Sequence, residues 1–95
     1  MSALVEEIKK MIADWETRLA ECERRLPLAE TELNAAANAS EVLSETKWGQ
    51  KEHADAIVQE GRLEDEVKSL KGQIREIEIW IAMEAKKLTA LSTGD

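Results

Sequence analysis

Few side chains in this sequence could do chemistry. His53 is the only histidine. Metal ligands on a helix share a face when they stand three or four residues apart. Glu52 and Asp55 miss that spacing, so they do not join His53 in a ligand set. Glu60 and Glu64 do share a face, but a helix rich in glutamate produces such pairs without purpose, and His53 reads as a solvated residue. Cys22 is the single cysteine, so no internal disulfide can form. It lies among apolar residues at helical spacing, where a buried free thiol acts as a small hydrophobe. There is no glycine-rich phosphate loop, no nucleophile with a neighbouring base, and no cysteine pair. The expectation is a protein that is not an enzyme, with no catalytic or metal-binding residues and no cofactor.

Any function must then lie in surfaces, and the apolar pattern shows what holds them. One stripe runs through Ile8, Met11, Trp15, Leu19, Cys22, Leu26, Ala29, Leu33 and Ala36. A second runs through Leu63, Val67, Leu70, Ile74, Ile77, Ile81, Ala85 and Leu88. Steps of three and four residues place each stripe down one side of an α-helix. Glycine and proline are scarce, at four and one residues. The expected fold is all-α: a long antiparallel helical hairpin of coiled-coil type forming one domain over residues 1–95. Helix one spans 3–47, a turn 48–50, and helix two 51–91.

Gly49, with Lys47 just before it, is a helix stop signal. Two consecutive four-residue steps occur at Met11–Trp15–Leu19 and again at Ile77–Ile81–Ala85. If Trp15 faces Ile81, the turn centre falls near residue ~48 as well. Pro27 kinks or breaks helix one, because it lacks an N–H and crowds the preceding turn. Gly61 is expected opposite Ala35, Ala36 and Ala37, as a site of close backbone approach. Helix two at 1.5 Å per residue would be roughly 60 Å long.

Two helices joined at Trp48–Gly49 resemble a family of small secreted helical proteins whose turn motif is Trp-x-Gly. Here the two residues are adjacent, and the chain has no tyrosine to supply that family's tail signal. The resemblance covers architecture alone and no membership is assigned.

A lone hairpin has a thin core, and the arm near the termini holds more apolar residues than one stripe uses. Leu4, Val5, Ile8, Ile12, Trp15, Ile79, Trp80 and Met83 are therefore the expected oligomer interface. The simplest assembly is a homodimer forming a four-helix bundle. Of the net charge of −7, residues 28–66 hold ten acids against Lys47, Lys51 and Arg62. That segment is an acidic head, in which Trp48, Glu60, Glu64, Asp65 and Glu66 are the candidate partner-binding residues. Trp48 is expected to pack over the turn with Val42, Leu43, Ile57 and Val58, or else to stand out as an anchor.

Net acidity argues against direct nucleic-acid binding, which needs a basic stripe, and none is expected. No apolar run is long enough to span a membrane, and Glu6 and Glu7 arrive too early for a signal peptide. A cytoplasmic protein is expected. The leading functional expectation is a homo-oligomeric coiled-coil adaptor or regulator that binds itself and another protein. The alternatives are a scaffolding subunit, or an acidic inhibitor (one a phage might encode) that occupies the nucleic-acid site of a target enzyme.

Overall fold

A computed structural model describes residues 3–93. It contains two helices, α1 (Ala3–Thr46) and α2 (Lys51–Thr93), which make an all-α helical hairpin. The bounds match the sequence expectation to one residue at the end of α1 and two at the end of α2. Residues 47–50 reverse the chain. The Lys47 N–H donates to the Leu43 carbonyl at 2.7 Å and the Gln50 N–H to the Lys47 carbonyl at 3.0 Å. Gly49 between them has φ +80°, a left-handed conformation that side chains oppose and glycine accepts.

The chain divides into two compact units, one formed by residues 3–23 with 72–93 and one by Arg24–Lys71. In the first unit the helix segments run antiparallel: Trp15 meets Trp80 and Cys22 meets Gln73. Its covered positions are Val5, Ile8, Ile12, Trp15, Leu19 and Cys22 on α1, and Ile74, Ile77, Ile81, Glu84 and Leu88 on α2. In the second unit Ala29, Leu63, Val67 and Leu70 are buried. Leu26, Leu33, Ala36, Ser40 and Leu43 are half-buried there, as are His53, Ala56 and Glu60.

This burial corrects the expected stripe. Met11 is exposed and Ile12 covered; Ala85 is exposed and Glu84 buried. With those two exchanges the steps alternate strictly between three and four residues on both helices. The paired four-residue steps therefore do not exist: Met11 and Ile12 are both apolar and spacing alone does not choose between them, while apolar Ala85 stands beside the charged residue that holds the seam position, Glu84. His53 occupies a half-buried seam position and not a solvated one.

α1 runs through Pro27 without a break. Proline removes one N–H from the helical ladder, leaving the Glu23 carbonyl without its usual donor. The Pro27 carbonyl in turn accepts a bond from the Thr31 hydroxyl at 2.9 Å. Gly61 is not a close-approach site. A Cβ built there, or at Gly72, would meet nothing within 4 Å, so these glycines cost helix stability without improving packing.

Candidate functional site

The first unit is strongly one-sided. Along one edge of its seam α1 carries Lys9, Glu16 and Glu23, and α2 carries Glu78, Ala85 and Ser92, all exposed. Along the other edge, at the same seven-residue interval, α1 carries Leu4, Met11 and Arg18, and α2 carries Gln73, Trp80 and Lys87. Heptad spacing puts each set on one side of the helix pair. The second edge, beside Arg18, Gln73 and Lys87, carries the exposed large hydrophobics Leu4, Met11, Trp80 and Met83, and Leu91 is exposed where the seam ends next to it.

Three adjoining grooves lie along that edge. One, of about 440 Å³, is lined by Leu4, Glu7, Ile8 and Met11 from α1 and by Glu84, Lys87, Ala90 and Leu91 from α2. A second, of about 470 Å³, is lined by Trp15, Arg18, Glu21, Cys22, Gln73, Glu76, Ile77 and Trp80. A smaller one, of about 210 Å³, joins them through Met11, Asp14, Trp15 and Arg18. Met83 lies seven residues from both Glu76 and Ala90, which places it on the same rim.

Aromatic and charged contacts shape the floor. The Trp15 and Trp80 rings are nearly parallel at 7°, with centroids 6.3 Å apart. The Arg18 guanidinium sits 5.1 Å from the Trp15 ring centroid, a cation–π contact that holds both side chains against the groove. The Cys22 thiol is buried and donates weakly to Gln73 Oε1 at 3.7 Å. Glu84 is only 5% exposed, and its Oε1 accepts from Lys87 Nζ at 3.3 Å.

The expected interface residues divide three ways. Leu4, Trp80 and Met83 are on the exposed edge. Val5, Ile8, Ile12 and Trp15 are covered or half-covered seam positions, so they are not spare surface. Ile79 is exposed but lines none of these grooves. Met11, Leu91 and Glu84 were missed. A strict three-four count upward from Leu63 reaches Glu84 and downward from Cys22 reaches Ile12, which leaves Met11 on the edge.

The expected head residues also divide. Trp48 is 78% exposed and does not pack over the turn; four linker residues, one of them Gly49, give its side chain little to lie on. Glu64 and Asp65 are exposed, while Glu60 is a half-buried seam residue. Glu66 is tied inside the second unit: Arg25 Nε donates to its Oε1 at 2.6 Å, and Arg25 also reaches the two Glu32 oxygens at 3.3 and 3.2 Å. The hydrogen bond from Arg25 holds the Glu66 carboxyl below its ordinary range. The Arg25 guanidinium is pushed up by the Glu66 bond first and the Glu32 bond second.

The charge is also less concentrated than expected. The segments of the first unit, residues 1–23 and 72–95, hold ten acids against six bases. Basic Arg24, Arg25, Lys68 and Lys71 belong to the second unit with the acidic segment. Among the described residues, no group of three His, Cys, Asp or Glu side chains is placed to hold a metal ion. Among the described residues, no helix is long and apolar enough to cross a membrane.

Compared with protein-family models, curated proteins and solved structures, the chain matches none.

Proposed function

We propose that this chain is a non-catalytic protein–protein interaction module, a coiled-coil hairpin acting as an adaptor or regulator. It docks a helix of another polypeptide on the apolar edge of its first unit. The observation that carries this reading is the contrast between the two edges of one seam. Charged and small residues alone line one edge; on the other Leu4, Met11, Trp80 and Met83 stand exposed among Arg18, Gln73 and Lys87, with Leu91 exposed at the seam end beside them. Ordinary solvation explains the first edge and leaves the second unexplained. Covering a large apolar side chain contributes roughly 1.5–3 kcal/mol when complete, so a helix laid along several of them has a substantial driving force. A second copy docked edge to edge would give a four-helix bundle. Exposed Trp48, with Glu64 and Asp65, is proposed as a separate contact for a basic protein surface.

The test compares two glutamate substitutions. Trp80→Glu lies on the edge, and Ile79→Glu is its exposed neighbour off the grooves. Binding of a synthetic amphipathic helix with leucines along one face, read by light scattering coupled to chromatography, is expected to be lost in Trp80→Glu and kept in Ile79→Glu. Equal behaviour of the two variants would remove the edge as the docking site.

A further inference from the structure

Resting on that docking reading, we infer that the occupant of the apolar edge is a cationic amphipathic helix of another protein. The chemistry of the rim selects it. Glu7, Asp14 and Glu21 each line a groove on this edge. All three are exposed and stand seven residues apart on α1, so they form a row with a repeat of about 10.5 Å. A helix lying alongside presents its own residues at the same repeat. Lysine or arginine at every seventh position would face each acid in turn, while its apolar stripe covers Leu4, Met11 and Trp80.

The cations of the edge are already engaged within the chain. Arg18 lies over the Trp15 ring, and Lys87 binds the buried Glu84. What the rim offers outward is negative. A second copy brings the same acidic row to the interface, and the unit that carries it holds ten acids against six bases. Like charges brought together across a desolvated contact oppose self-association. Anionic lipid headgroups and nucleic-acid phosphates meet the same repulsion. A basic helix alone satisfies both the apolar floor and the acidic rim.

The full chain is titrated with two synthetic helices, each with leucines on one face. One carries lysines seven residues apart beside that face, and the other carries glutamates there. The lysine helix is expected to bind at least about tenfold more tightly, and to weaken as salt is added. Replacing Glu7→Gln, Asp14→Asn and Glu21→Gln together should reduce its affinity about tenfold, the sum of three exposed charge pairs. The same variant should lose most of the salt dependence. Equal binding of both helices would overturn the charge selection and leave the docking reading standing. If neither binds and the chain is a dimer that Trp80→Glu dissociates, the occupant is a second copy and the inference fails. If neither binds and the chain is a monomer, the docking reading fails with it.

Discussion

Replacing Glu84 by leucine should stabilise the first unit. Glu84 occupies a seam position between Ile81 and Leu88, 5% exposed. Its carboxylate has Lys87 Nζ at 3.3 Å, and the Lys87 side chain is 58% exposed. A pair with so wet a partner contributes at most about 1 kcal/mol, while the buried carboxylate loses much of its hydration. Leucine has similar volume and helix propensity. It adds buried carbon worth about 0.8 kcal/mol per methylene and removes the charge from the seam. Exchanging buried ionic groups for apolar residues of like volume is often neutral or stabilising by about 1–4 kcal/mol, and exposed Lys87 is left in water when its partner goes, so a gain of roughly 1–3 kcal/mol is expected for Glu84→Leu. A domain of this size shifts by about 4–8 °C in Tm for each kcal/mol. Urea unfolding followed by far-UV circular dichroism should move to a higher midpoint with an unchanged slope. The measurement is made at several protein concentrations, since association would raise apparent stability by itself. A loss of about 1 kcal/mol or more in Glu84→Leu would refute the reasoning, because it would mean the carboxylate makes a bond the seam requires.

Further outcomes follow from the same geometry. Gly61→Ala and Gly72→Ala should each raise stability by up to about 1 kcal/mol, since an added Cβ meets nothing at either position; a loss in Gly61→Ala would restore the close-approach reading. Gly49→Ala should cost about 1–2 kcal/mol in thermal unfolding through its left-handed φ alone. Glu66 has its folded pKa depressed by the Arg25 bond, so its contribution is present above the ordinary carboxylate range and is lost as pH falls through the folded value. Wild type should therefore lose more Tm than Glu66→Gln between about pH 7 and pH 3, and identical losses would deny the ion pair a role. Amide exchange should be faster around Ser40, His53 and Ala56 than around Leu63, Val67 and Leu70, because small and polar residues fill the seam near the turn.

The fold was legible because helix period and the Gly49 stop are local signals. Leu26, Leu63, Val67, Leu70 and Ile77 could be placed from spacing alone, since an apolar residue at every third or fourth position has one cheap solution. The site was legible only in part. Apolar type does not distinguish a seam from its edge when both are apolar, so Met11 takes the place of Ile12, and Val5 and Ile12 read as spare surface. A buried polar residue breaks the pattern it belongs to, and Glu84 was passed over for Ala85. Trp48 takes the second of its two expected placements, standing out from the turn; apolar residues close in sequence to a turn do not fix where a linker side chain points. The one-sidedness of the first unit follows from a seam that keeps its three-four spacing through Glu84 whatever the residue type.

The central claim is that the edge bearing Met11 and Met83 is where a partner helix docks. The chain has three methionines, Met1 being the third, so methyl-labelled methionine reports on this edge with two internal signals. On titration with the lysine-bearing amphipathic helix, the Met11 and Met83 methyl resonances should shift together and saturate at one affinity, and Trp80→Glu should abolish the shift. Saturable binding that leaves both methyl signals in place would contradict the account, because the partner would then be docked elsewhere on the chain.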